Sequence, residues 1–202
     1  MARTPKIVED RREQILAAAI SVFARKGFSR ATNKDIAREA GITPGLIYHY
    51  FENKEALLNA IVENYSPLSA LRSLPAGVVE LPPEAFLHAV LPQILQVVES
   101  ETFIQLIRVF LPEVLYNPEI TPVSTRIFQQ VTAFLDQYLT RRMVLGDLRT
   151  VDASLVSQSI ISNVVGFVMR RQILRDPLVT HYTHAQIVDT IVDITFRGLL
   201  PR

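Results

Sequence analysis

The stretch ITPGLIYHYFENKEAL, residues 42–57, gathers groups suited to holding a phosphate. Thr43 is a helix-capping residue, and Pro44 fits the first helical position, where a missing N–H costs nothing. The turn that they open presents unpaired N–H groups and positive partial charge, which suit an anionic oxygen. Ile47 and Phe51, four residues apart, share a face that can pack inward. Gly45 and His49 then lie opposite, with Leu46 and Tyr48 at the flanks. Gly45 removes a side chain where another surface could approach. The Tyr48 hydroxyl, Lys54 and the upstream Lys34 add donors for phosphate.

Chemistry of other kinds finds little support. The chain has no Gly-rich phosphate loop ahead of a helix, no Ser/His/Asp signature and no His–carboxylate metal spacing. It has no cysteine, which excludes disulfides, thiolate metal sites and a cysteine nucleophile. His181 and His184 stand three apart but straddle a helix start without a further ligand, and read as a surface pair. Neither enzyme activity nor a metal or cofactor is expected.

The 202 residues suit one large domain, or a small one joined to a larger one; 49% are apolar and 20% charged, ample for a core. Net charge hides an asymmetry. Residues 1–54 carry ten Lys/Arg against six Asp/Glu, leaving 11 against 14 for the remainder of the totals of 21 and 20. A basic head and a slightly acidic body suit a polyanionic partner at one end. The charged start lacks the apolar core of a signal peptide, and the most apolar run, Ile160 to Met169, is too short to span a bilayer. A cytoplasmic location with no membrane partner is the expectation.

Apolar positions Ile15, Ala19, Val22 and Phe23 make an amphipathic helix from Arg11 to Lys26, ended by Gly27. Thr32 caps the next helix, with Asp35 placed to answer the cap, and Gly41 stops it. Pro44 starts a third helix and Asn53 caps a fourth. Residues 66–83 read as an irregular connection. Helices follow at about 84–99, 101–116, 123–145, 152–175 and 184–199, broken at Asn117-Pro118, Pro122, Gly146-Asp147 and Asp176-Pro177. Thr183 to Gln186 is a capping box for the last of them. Pro92 and Pro112 fall inside two helices, where each should remove a hydrogen bond and bend the axis. The fold class is all-α with about nine helices: a head over residues 1–54 and a body over 55–202.

Two short helices joined at Gly41-Ile42-Thr43 have the spacing of a helix-turn-helix, although an ordinary helical hairpin has the same spacing. The run FARKGFSRATNKDIAREAGITPGLIYHYFENKEALL resembles the N-terminal signature of the tetracycline-repressor (TetR) family of bacterial transcriptional regulators. The resemblance rests on Phe23-Ala24, Gly27-Phe28, Thr32, Ile36-Ala37, Ala40-Gly41-Ile42, Gly45, Tyr48, Tyr50-Phe51 and Asn53-Lys54-Glu55. It implies a homodimer on a palindromic double-stranded operator, usually a repressor released by a small molecule. By this resemblance Lys34, Pro44, Gly45, Leu46 and His49 face base edges, while Thr32, Asn33, Thr43, Tyr48, Tyr50 and Lys54 hold phosphates. Leu46 departs from the small or hydroxylated residue usual there. Arg3 and Lys6 read as a solvated start rather than a groove-reaching arm.

In the body, Ile160, Val164, Phe167 and Val168 form one apolar seam, and Ile187, Ile191 and Ile194 another. Packed with the same pair from a second subunit they would form a four-helix dimer interface, although burial within one chain explains the same pattern and the dimer follows mostly from the resemblance. Candidate pocket walls are Phe103, Leu106, Phe110, Phe128, Phe134 and Phe167. His88, Gln105, Arg108, Tyr116, Tyr138 and Asn163 are the candidate polar contacts. These types point to a small hydrophobic or aromatic effector with one or two polar anchors. An enzyme built around such a cavity, or a helical scaffold without DNA binding, are the rival readings.

Overall fold

The computed structural model describes residues 5–116 and 121–199, and all regular structure among them is helical; Arg3 and the Asn117-Pro118 break lie outside. The helices are α1 (Pro5–Lys26), α2 (Asn33–Glu39), α3 (Pro44–Tyr50), α4 (Lys54–Tyr65), α5 (Pro67–Arg72), α6 (Pro83–Val98), α7 (Glu101–Tyr116), α8 (Thr121–Val144), α9 (Ala153–Val168), α10 (Pro177–Thr180) and α11 (His184–Leu199).

Their ends follow from local chemistry. Gly27 and Gly41 take φ of 78° and 62°, the left-handed region that lets the chain leave a helix without strain. At α2 the capping box closes: Asp35 N–H donates to Thr32 Oγ1 at 3.2 Å, and Thr32 N–H donates to Asp35 Oδ2 at 3.2 Å. Ala56 N–H donates to Asn53 Oδ1 at 2.7 Å ahead of α4. Before α11 the same reciprocity joins Thr183 and Gln186.

Two expectations need correction. Residues 66–83 are not irregular: Ser66 caps α5 with Pro67 at its first turn, and a 3₁₀ segment covers Ala76–Glu80. The Ser-Pro pair is a start signal that the surrounding prolines obscure. Helix 152–175 keeps α geometry only to Val168. It then widens into a π turn over Met169–Ile173, where Leu174 N–H donates to the Met169 carbonyl five residues back at 2.9 Å. Helices α6 and α7 run through Pro92 and Pro112 without ending.

The chain divides into two compact units, one of Met1–Tyr65 with Gln105–Ser124, the other of Ser66–Ile104 with Thr125–Arg202. The head core buries Ile15, Leu16, Phe23, Ile36, Ile47, Phe51, Leu57 and Ile61, and takes in Leu106 of α7. Helix α4 thus belongs to the head's packing. The body core is built from α6, α8, α9 and α11, with Phe86, Leu95, Ile160 and Phe196 among its deepest residues. Tyr138 stacks on Phe86 at 3.5 Å between ring centroids, and its hydroxyl donates to the Leu81 carbonyl at 2.7 Å. The buried Arg142 guanidinium donates to the same carbonyl at 2.6 Å and pairs with Asp147, tying the 3₁₀ segment to α8.

Asp35 also accepts from Lys26 Nζ at 2.6 Å. That bond, then the one from the Thr32 hydroxyl, pulls its carboxyl down from 3.8 to about 2. A depressed carboxylate stabilises the fold above its unfolded pKa and loses that contribution as pH falls through the folded value. Asp35→Asn should therefore lower the Tm at neutral pH. The gap to wild type should narrow from about pH 4 downward and close near pH 2, as followed by thermal denaturation in circular dichroism.

Candidate nucleic-acid interface

The turn between α2 and α3 is tied by backbone bonds from Gly41 N–H to Arg38 O at 3.2 Å and from Ile42 N–H to Ala37 O at 2.9 Å. It sets α3 so that Ile47 and, at its end, Phe51 enter the head core beside Ile36, Ala37 and Ala40. The opposite face is left to solvent. Thr43, Pro44, Gly45, Tyr48 and His49 are exposed, Tyr48 by 60%, while Leu46 and Tyr50 are half-buried. His49 sets its ring edge against Tyr50 at 5.4 Å.

Thr43 holds the N-cap position, yet its hydroxyl makes no capping bond. The expected side-chain cap is absent, and the hydroxyl remains open at the tip of α3. Gly45 is equally unconstrained by the fold. A Cβ built there would meet no atom within 4 Å, and its φ is not left-handed. Nothing inside the chain requires glycine at this position.

On α2, Lys34 is exposed, and Asn33 buries its Oδ1 without a hydrogen-bond partner among the described residues. The Thr32 hydroxyl is engaged by Asp35, so a phosphate must compete with the capping box for it. Lys54 departs furthest from expectation. Its ammonium donates to the carbonyls of Phe28 at 2.8 Å, Ser29 at 3.3 Å and Ala31 at 3.3 Å, and sits 4.4 Å over the Phe28 ring. Its three N–H donors are engaged within the α1–α2 loop, so a phosphate must compete with these carbonyls for Lys54.

The candidate effector wall is not brought together. Leu106 and Phe110 lie in the head, where the Phe110 ring is 6.0 Å from both Phe23 and Phe28. Gln105, Arg108, Tyr116 and Phe128 are exposed, Tyr116 by 86%. His88 is exposed beside Asp189, at 3.7 Å, and Asn163 turns back to the Ser159 carbonyl at 2.9 Å. The Tyr138 hydroxyl is spent on Leu81. Phe103, Phe134 and Phe167 remain half-buried against the body core.

The seams require a similar correction. Ile160, Val164, Val168, Ile187 and Ile191 are buried in the chain's own core, with Phe167 packed against it; only Ile194 is exposed. An apolar stripe at helical spacing marks the face toward the core, and that face is satisfied within one chain. The outward face of α9 exposes Leu155 and Val165 and borders a groove of about 620 Å³ lined by Leu155, Gln158, Ser159, Ser162 and Asn163. Ser162 and Gly166, small enough to let a neighbouring helix approach, lie on this exposed face.

Among the described residues, no group of His, Cys and acidic side chains could hold a metal ion, and no helix is long and apolar enough to cross a membrane. The model of the tetR family of bacterial regulatory proteins matches residues 15–61, and that of the C-terminal domain of AefR-like transcriptional repressors matches 85–198. The regulator HbdR of Aromatoleum sp. is 45% identical over 60 residues, 30% of this chain and 26% of that protein. The repressor KstR2 of Mycolicibacterium smegmatis is 36% identical over 62 residues, 31% and 30% of the two chains. The matched part thus spans less than a third of these relatives. Solved structures match throughout. The fatty acid degradation regulator FadR of Bacillus halodurans has a TM-score of 0.74 at 21% identity over 100% of both chains. FadR of Bacillus subtilis, in complex with stearoyl-CoA, scores 0.73 at 21% identity over 92% of this chain and 98% of that one. With its head and body matched in chain order, the protein belongs to the tetR family of bacterial regulatory proteins.

Proposed function

We propose that the protein binds a palindromic double-stranded operator as a homodimer and represses transcription until a small hydrophobic effector releases it. The observation that carries this reading is the tip of α3, with its uncapped Thr43 hydroxyl, its unconstrained Gly45 and its exposed Tyr48. Phosphate contacts from Thr43, Tyr48 and Tyr50, with Thr32 and Asn33 alongside, supply affinity. Pro44, Gly45, Leu46 and His49 present the face that meets base edges. Two-fold symmetry sets paired α3 helices about 34–36 Å apart, one turn of DNA.

The exposed Leu155, Val165 and Ile194, with small Ser162 and Gly166 between them, are the surface for the partner subunit. Effector binding is assigned to the body near Phe103, Phe134 and Phe167. The likeness to a regulator solved with stearoyl-CoA supports a lipophilic ligand. Helix α7 leaves the body's core at Ile104 and joins the head's at Leu106, where Phe110 meets Phe28 under the Lys54 clasp. An effector that favours one setting of α7 shifts the population of heads toward one spacing.

The wild-type protein should retard DNA from upstream of its own gene in a mobility-shift assay; failure to bind that region or any other duplex ends this reading. In sedimentation at micromolar concentration it should run as a dimer, and Ile194→Asp should shift it to monomer with its helicity retained. Lys54→Met should cost about 1–3 kcal/mol, because three loop carbonyls lose a charged donor. The Tm should therefore fall while the salt slope of DNA binding stays at the wild-type value; a flatter slope would return Lys54 to the phosphate contacts.

A further inference from the structure

We infer that Lys34 and Arg38 of α2 form a phosphate-binding edge, kept positive by ion pairs that hold the helix's carboxylates against α1. The inference rests on the DNA-binding reading above and extends it to Arg38, Arg25 and Lys26.

By count α2 is neutral, with Lys34, Asp35, Arg38 and Glu39 in seven residues. Helical spacing sorts them. Ile36, Ala37 and Ala40 turn into the core, Asp35 and Glu39 share one edge, and Lys34 and Arg38 share the next, about 100° round the axis. The acidic edge is answered from the end of α1. Arg25 grips Glu39 with both nitrogens, at 2.6 and 3.1 Å, and Ser21 adds a hydroxyl bond at 2.9 Å. Lys26 holds Asp35 at 2.6 Å. A two-pronged guanidinium–carboxylate pair fixes direction as well as charge. Glu39 is also held below the usual carboxylate range, mainly by its bond from Arg25.

The basic edge has no such partners. Lys34 and Arg38 are both exposed and carry no side-chain hydrogen bond or ion pair among the described residues. One helical turn apart, they offer two cations while the matching anions are locked elsewhere. Their charge fits the sugar-phosphate backbone of duplex DNA, which the first helix of a helix-turn-helix crosses while the second enters the groove. The contact reads no sequence: it adds affinity and register. Arg25 and Lys26 act as positioning residues, screening carboxylates from an approaching polyanion.

The test is fluorescence anisotropy with a labelled non-specific duplex and with the gene's own upstream duplex, titrated between about 50 and 200 mM salt. Arg38→Gln should weaken both complexes and reduce the slope of log K against log salt by about 0.9 for each phosphate no longer neutralised, at unchanged Tm. A wild-type slope in this variant overturns the inference. Arg25→Gln should weaken binding by freeing Glu39, and Arg25→Gln/Glu39→Gln should restore it. A double variant as weak as the single one overturns the screening role, because a purely structural pair is not rescued by removing its second half. Should Arg25→Gln fail to fold, Glu39→Gln alone decides: binding at least as tight as wild type supports the screen, and weaker binding overturns it. Wild-type protein that binds neither duplex overturns the DNA-binding reading itself, which separates that failure from one confined to Arg38.

Discussion

The burial of Ile47 and Phe51 in the head core is the constraint on which the rest depends. A seven-residue helix such as α3 is not stable alone in water, because nucleation consumes most of what its few hydrogen bonds return. Its existence and its rotation about its own axis are therefore set by two apolar side chains fixed among Ile36, Ala37 and the residues of α1. Once that inner face is fixed, the outer face has no freedom left. Thr43, Gly45, Tyr48 and His49 must point to solvent, and a rigid, preset surface is what reading a groove requires.

The same economy appears in the polar interactions. Lys54 secures the α1–α2 loop from the far side, and Phe28 beneath it packs on Phe23 and Phe110, so the loop, α4 and α7 share one cluster. Arg25 and Lys26 gather the carboxylates of α2 on the α1 side. Each of these ion pairs is partly solvated and worth little in isolation. Their value lies in direction, since they decide which charges and which backbone groups face outward.

Much of this is legible in the sequence because the signals are local. Gly27, Gly41, Thr32, Asn53 and Thr183 mark helix ends through chemistry confined to four or five residues, and each marks an end as read. The Ile47/Phe51 face follows from helical spacing alone. What fails depends on tertiary partners. The spacing that draws attention to Ile160 and Val164 cannot say whether the covering surface comes from the same chain or a second one, and here it comes from the same chain. Phe110 and Phe134 are alike in sequence, yet one packs in the head and the other in the body, since α7 passes from one unit to the other. Lys54 reads as a phosphate ligand in sequence, where the three competing carbonyls 23 to 26 residues upstream are out of sight.

The central claim is that α3 is shaped for a surface outside the chain, and Gly45 exposes it most directly. The fold leaves the position open and its backbone in a conformation that any residue adopts, so Gly45→Ala should leave the Tm unchanged or raise it, as alanine in a helix gains about 0.5–1 kcal/mol over glycine. If the tip of α3 must approach DNA closely, the same substitution should weaken binding to the gene's upstream duplex by about tenfold, the scale of one mismatched base pair. A variant that melts no lower and binds that duplex as tightly as wild type would contradict the account.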